Sequence, residues 1–197
     1  MGLAISVGML DEDEDYREMF DGLAATLAQA GITGYREPER VPDTMRAHCD
    51  SFPYSFLHYL RRCYALLREG KPVTVAEDDE ARAADDDLVE ELSIDSSSHL
   101  LCHSDAEGYY VPVDFDEPLF SDEESIGSSQ RLLAELREVG PHIGVKLEAD
   151  GTLSDAEAAR LAEYRDGEPF WREITVWLTL HEACVASIAH GAAIVFS

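Results

Sequence analysis

The spacing of apolar residues along the chain predicts several helices and a few short strands. Residues 3–10 are apolar and compact, which is typical of a buried strand. Spacings of three and four residues then predict about five helices, most of which end at a glycine. The stretches with helical spacing run from Tyr16 to Gly31, from Ser51 to Gly70, from Ser128 or Ser129 to Gly140, from Ser154 onwards, and from Pro169 to Gly191.

The strongest strand signal lies in residues 99–115. Two runs rich in strand-forming residues, 99–103 and 109–115, flank a five-residue loop that contains a glycine, and this arrangement predicts a β-hairpin. Weaker signals predict short strands at Val73–Val75 and Ile143–Leu147, and a terminal strand at Ala192–Phe196. The pattern as a whole predicts an α+β fold, with helices packed on one face of a small mixed or antiparallel sheet.

The last helix is the most apolar element, and we expect it to be the central buried one. It carries a histidine, His181, on its apolar face. The pattern His-Glu-x-x-His would indicate zinc, but Val185 stands where the second histidine should be, so a hydrogen-bonded core histidine is the better interpretation.

Residues 76–98 differ from the rest of the chain because acidic clusters and serines replace the apolar pattern. Acidic residues dominate at 77–80 and 85–87, and three serines follow at 96–98. A short helix around 80–92 is compatible with this composition. We therefore expect residues 1–197 to form a single domain with an acidic, mobile insertion near 76–98.

The net charge of the chain limits the kinds of partner that it can bind. The chain of 197 residues has 41 Asp and Glu against 15 Lys and Arg, a formal net charge of -26. A surface this negative repels phosphate backbones and anionic lipid headgroups, so we expect no nucleic-acid partner and no membrane partner. The apolar share of 45% is too high for a chain that charge alone would keep disordered.

The cysteines and the first ten residues predict the cellular compartment of the protein. The four cysteines are widely spaced and include no Cys-x-x-Cys pair, and the first ten residues lack the basic start of a signal peptide. These features favour a reduced, cytoplasmic protein.

Two acidic groups could hold a metal ion. Asp11 and Asp13 alternate after the first strand, as the ligands of a hard cation do, although the residues that would complete a calcium loop are absent. His103 and Asp105 could form a second site near the hairpin tip. A solvated helix entry and ordinary turn chemistry are the competing interpretations. A metal-dependent hydrolase or metal-binding protein is therefore the alternative hypothesis, and no metal or cofactor is assigned.

We expect a non-enzymatic protein-binding module whose acidic surface faces a basic partner. No nucleophile elbow or phosphate-binding glycine loop occurs in the sequence. An immunity or antitoxin-like protein that faces a cationic toxin domain is the concrete version, and its acidic surface could cover a positive cleft as a nucleic-acid mimic would. The residues expected to contact the partner are Asp85, Asp86, Asp87, Asp105, Glu107 and Tyr110.

A third hypothesis is a structural subunit. Phe170, Trp171 and Trp177 could extend a dimer patch, and the sequence leaves the oligomeric state undetermined.

Overall fold

The computed structural model describes residues 2–11, 15–42, 45–46, 51–95, 97–120 and 124–197. These residues form seven α-helices, two short 3-10 helices and a five-stranded mixed sheet, so the predicted α+β class is confirmed. The elements are β1 Ile5–Val7, a 3-10 turn Met9–Asp11, α1 Asp15–Gln29, α2 Tyr54–Arg68, α3 Asp79–Ala83, α4 Asp86–Asp95, β2 Gly108–Val111, β3 Leu119–Phe120, β4 Ser125–Ser128, α5 Ser129–Val139, a 3-10 turn Gly140–Ile143, α6 Asp155–Ala162, α7 Trp171–His190 and β5 Ile194–Phe196.

The sheet has the strand order β1-β5-β2-β4-β3. Only the β2–β4 pair is parallel, and Tyr110 of β2 lies opposite Gly127 of β4. A Cβ atom on Gly127 would collide with the Tyr110 ring, so this position has room for glycine alone. Because Gly127 has no side chain, the Tyr110 ring of β2 can pack directly against the β4 backbone.

Helices cover both faces of the sheet, which corrects the expectation of a single covered face. Tyr110 and Phe196 point into the larger core, which α2, α5, α6 and α7 build. Tyr109 and Val195 alternate to the other face and pack in one cluster with Phe20, Leu23 and Leu27 of α1. Burial on both faces explains why β2, β4 and β5 are apolar or small at every position.

Helix α7 is the buried C-terminal helix that the sequence predicts. Trp177 is fully buried, and its indole Nε1 donates to the carbonyl of Leu136 in α5 at 2.7 Å. The ring of His181 stacks on this indole at 4.7 Å, in keeping with a core histidine. Because Trp177 lies inside the core, it cannot extend a surface patch.

The hairpin predicted over 99–115 is wrong. Only Gly108–Val111 forms a strand, and its partners are β4 and β5. Residues 99–103 form turns instead, because the carboxylate of Glu135 accepts the backbone N–H groups of His99 and Leu100. Those donors are therefore not available to a ladder.

The short strands expected at Val73–Val75 and Ile143–Leu147 are also absent. Arg62 binds the carbonyl of Thr74, and the carboxylate of Glu157 accepts the N–H of Lys146. In both segments a side chain hydrogen-bonds to a backbone group that would otherwise pair with a neighbouring strand.

Acidic α3 and α4 occupy the segment expected to be an insertion, and α4 packs against α2 through Leu88, Val89 and Leu92. Its mobility remains a prediction. Within the described ranges, no helix has the length and the apolar character needed to span a bilayer.

We predict that truncation of a buried α7 side chain destabilises the fold far more than truncation on its exposed side. Leu180 is fully buried, so Leu180→Ala should lower the free energy of unfolding by about 2–5 kcal/mol. Ile188 on the same helix is 37% exposed, and Ile188→Ala should cost about 1 kcal/mol or less. Urea unfolding followed by circular dichroism measures both, and equal losses would contradict the central position of α7.

Candidate functional site

The most acidic surface feature is the pair α3–α4, which we call the acidic helix pair (residues 77–95). Asp78 caps α3 by accepting the N–H of Ala81 at 2.8 Å. The apolar positions of α4 face the core, which leaves its acidic positions on the outside. The exposed carboxylates of α4 are Asp86, Asp87, Glu90 and Glu91.

The density of these carboxylates is in the range of DNA phosphates. The segment from Asp86 to Glu91 spans about 7.5 Å at the rise of an α-helix. Four exposed carboxylates over that length give one negative charge per about 2 Å, between the roughly 1.7 Å per charge of duplex B-DNA and the roughly 3.4 Å per phosphate along one strand. One face of α4 therefore carries a charge density similar to that of a nucleic-acid strand.

A buried arginine of α2 holds the acidic helix pair in place. The Nε of Arg62 donates to Asp85 Oδ2 at 2.7 Å, while its terminal nitrogens donate to the carbonyl and the hydroxyl of Thr74. Asp85 is thus an anchor to the core, and its charge is matched. This role differs from the direct partner contact that the sequence predicted for it.

The other acidic residues of α4 are less compensated. Asp86 pairs with Arg82 one helical turn earlier. For Asp87, Glu90 and Glu91, no lysine or arginine of the described chain lies within ion-pair distance. Their charge is therefore directed at solvent or at a partner.

His58 of α2 links the acidic helix pair to the turn that contains Asp105. Its Nε2 lies 3.0 Å from Asp105 Oδ2, and both side chains are more than a third exposed. Burial lowers the pKa of His58, Arg61 lowers it further, and the charges of Asp105 and Asp86 act in the opposite direction. The imidazole therefore pairs directly with Asp105, while Asp86 of the acidic helix pair acts on it only through its charge.

The remaining predicted contacts divide between surface and core. Glu107 is exposed in the turn next to Asp105. Tyr110 is only 1% exposed, and its hydroxyl donates to the carbonyl of His99 at 2.7 Å, so it cannot be displayed to a partner. The expected display of Tyr110 assumed a hairpin tip, and β2 instead lies inside the sheet.

A second acidic stretch, residues 114–124, is partly neutralised. Arg131 at the start of α5 donates to Asp114 and Asp116, each at 2.6 Å. Glu124 accepts the hydroxyl of Tyr109 at 3.0 Å. Asp114 and Asp116 therefore have a cationic partner, unlike Asp87, Glu90 and Glu91 of α4.

The metal site suggested at His103 and Asp105 finds no support in the side-chain geometry of the described residues. Both ring nitrogens of His103 face backbone carbonyls, those of Ser104 and Tyr109, and the ring is buried. Asp105 pairs with His58 instead. Asp13 and the side chain of Asp11 lie outside the described residues. Over the part of the chain that the structure covers, no group of three or more His, Cys, Asp or Glu side chains could hold a metal ion.

A comparison with protein families adds independent information. The sequence model of the family described as "Putative DNA-mimic protein" matches residues 1–196. The chain belongs to this family. No curated protein and no solved structure matches it.

Membership of the DNA-mimic family corrects the expected partners. The strong negative charge led us to expect interactions in which nucleic acid has no part. A family of DNA mimics implies interaction with proteins that bind DNA, so nucleic acid is relevant as the ligand that is imitated. A DNA mimic does not contact phosphates, because it carries their negative charge itself.

Sequence reasoning missed His58 and Arg62. Both lie on α2, for which the apolar spacing between Ser51 and Gly70 predicted a helix and no functional residue. Their partners, Asp105 and Asp85, are 47 and 23 residues away along the chain. The sequence feature that could have indicated Arg62 is the pair of consecutive arginines, Arg61 and Arg62, within a largely apolar helix.

We predict that Arg62 fixes the acidic helix pair. Arg62→Met leaves Asp85 without its cation and Thr74 without its donors, so hydrogen exchange of the α4 amides should accelerate by about tenfold or more. Arg68→Met is the matched control, because Arg68 lies on the same helix, is 55% exposed and only approaches Glu138 at 4.0 Å. Equal α4 exchange in the two variants, measured by mass spectrometry, would contradict this role.

We also predict a pH dependence from Glu135 of α5. Burial raises the pKa of this carboxyl to about 7, although the N–H groups of Leu100 and His99 and the hydroxyl of Ser98 favour its charged form. The folded state therefore binds the proton more tightly than the unfolded state, whose pKa is near 4.5. The stability contribution of Glu135 should decrease as pH rises from about 4.5 to about 7 and then become constant.

Glu135→Gln removes this ionisation. The difference in unfolding free energy between the native chain and Glu135→Gln should shift by about 1–3 kcal/mol between pH 5 and pH 8, with the native chain losing stability. The matched control is Glu163→Gln, an exposed glutamate whose charge is not among those acting on Glu135, and it should show no such shift. Parallel stability curves for the native chain and Glu135→Gln in urea titrations would rule out the raised pKa.

Proposed function

We propose that this protein is a non-enzymatic DNA mimic that binds a DNA-binding protein and occupies its DNA-binding surface. The observation that carries the proposal is the face of α4, where the exposed Asp86, Asp87, Glu90 and Glu91 place negative charge at a density in the range of DNA phosphates. The family match supports it independently. The partner is a DNA-binding protein, in place of the cationic toxin domain expected from the sequence.

The electrostatics of the whole chain support this function. A net charge of -26 accelerates encounter with a positive surface, as a DNA duplex does. The three uncompensated carboxylates of α4, Asp87, Glu90 and Glu91, then lie where lysines and arginines of the partner would replace water. Asp105 and Glu107 extend the same surface beyond His58.

Preorganisation also supports the function. A flexible acidic tail would lose conformational entropy when it is ordered against a partner. Here the acidic positions belong to helices, and the buried Arg62 contact ties them to α2. The charges therefore keep fixed positions before the partner arrives, as phosphates do on a duplex.

A reducing, cytoplasmic location is part of the proposal. Cys63, Cys102 and Cys184 form no disulfide with one another in the described chain. DNA-binding partners would be found in the same compartment.

The test is competition with DNA. The tagged protein is used to isolate partners from a lysate of the cells that make it, and each purified partner is then bound to a fluorescent duplex. Adding the protein should release the duplex, with an affinity that falls steeply as salt increases. Partners that bind the protein and the duplex at the same time would contradict the mimic function.

Neutral substitutions on α4 test the surface itself. The triple variant Asp87→Asn, Glu90→Gln, Glu91→Gln should release the duplex about tenfold less effectively at low salt, because three charges facing the partner are lost. The matched control is Glu18→Gln, Asp21→Asn, Glu39→Gln, which removes the same charge from exposed positions on and near α1. Equal losses in both variants would show that net charge acts without the α4 surface.

A further inference from the structure

A cavity of about 390 Å³ opens at the beginning of α7, next to the acidic helix pair. Its walls come from residues 75–77 and from residues 166–173. Arg172 spans the two segments, since one terminal nitrogen lies 3.4 Å from the carbonyl of Glu77. The cavity is therefore continuous with the start of the acidic helix pair.

The cavity has an aromatic wall. Trp171 and Phe170 both line it, and Trp171 is fixed by an edge-on contact with Phe56 at 4.9 Å. Val75 completes the apolar part and is 43% exposed. This apolar surface is not fully covered by the described chain.

The backbone at the cavity is strained. Phe170 has φ +60, the left-handed conformation that residues with a Cβ rarely adopt, and it is the only described residue other than glycine with a positive φ. Strained residues of this kind concentrate at binding sites, where the surrounding structure holds them. The strain places an aromatic ring at the cavity wall.

The charge around the cavity selects a cation. The carboxylates of Glu77, Asp166 and Glu168 line it and are exposed. The only cation in its lining, Arg172, already lies over two rings, 4.8 Å from Tyr59 and 4.9 Å from Trp171. A guanidinium from outside would therefore displace Arg172 from the Trp171 indole or lie against Phe170. The three exposed carboxylates outnumber the single arginine of the lining, which disfavours an anionic occupant.

We propose that this cavity binds an arginine side chain of the DNA-binding partner. The guanidinium would lie against the aromatic wall within reach of Glu77, Asp166 and Glu168, while α4 contacts the neighbouring basic surface. Arginines that enter a groove of DNA or contact its phosphates are the side chains that such a partner offers. This inference rests on the proposed function and adds a specific anchor to the diffuse charge of α4.

The test uses a small probe and needs no partner. N-acetyl-arginine methylamide is titrated into the ¹⁵N-labelled protein, and N-acetyl-citrulline methylamide, which has the same shape without the charge, is the control. The Trp171 indole N–H and the Gly167 amide should shift and saturate at millimolar arginine. The indole N–H of Trp177, buried on the Leu136 carbonyl, should stay unchanged.

Filling the cavity supplies the second arm. Val75→Trp should weaken arginine binding by about tenfold or more. Val185→Trp is the matched control, since Val185 is 40% exposed, lies outside the cavity lining and should leave the titration unchanged.

Three results would overturn the proposal. Shifts that spread over α3 and α4 without saturating at Trp171 would indicate unspecific charge attraction. Equal shifts with the citrulline probe would remove the role of charge. A Trp171 signal that responds to protein concentration and not to arginine would assign the cavity to a second copy of the chain.

The outcome is separable from that of the proposed function. If Val75→Trp displaces DNA from the partner as well as the native chain does, while the α4 triple variant fails, the arginine site is wrong and DNA mimicry stands. If neither the native chain nor any variant displaces DNA, the proposed function fails, and the arginine titration still decides what the cavity binds.

Discussion

Two consecutive arginines of α2, both buried, connect the core to the acidic surface. Arg61 is turned toward the 99–104 turns, where it donates to the carbonyls of Leu100, His103 and Ser104. Arg62 is turned toward the acidic helix pair and binds Asp85 and Thr74. Because both charges are shielded from water, their hydrogen bonds are costly to lose, and the two acidic regions keep fixed positions around one helix.

The same helix explains how so acidic a chain keeps a normal core. The interior is built by apolar side chains of α2, α5 and α7 around fully buried residues such as Trp177 and Leu60. Cations are used sparingly and mostly where they hold segments together, as Arg46 does when it binds the buried carboxylate of Glu182 and the carbonyl of Leu153. The carboxylates of α4 are left largely uncompensated as a result, and a strongly acidic surface can coexist with an ordinary core.

Elements whose signals are local could be predicted from the sequence, while those decided by distant side chains could not. The cap at Ser128, the apolar face of α5 and the burial of α7 follow from neighbouring residues and are confirmed. The hairpin was wrong because Glu135, some 35 residues away, takes the backbone donors of the first run. The acidic residues of the site were visible in the sequence, but their proximity through His58 was not, because it depends on how α2 places distant segments.

The uncompensated row on α4 also has a consequence for the isolated protein. Asp87, Glu90 and Glu91 repel one another in the folded state, and no lysine or arginine of the described chain pairs with them. Dissolved counterions screen this repulsion, so added salt should stabilise the folded state relative to pure water. The acidic row that a partner would contact therefore makes the stability of α4 sensitive to ionic strength.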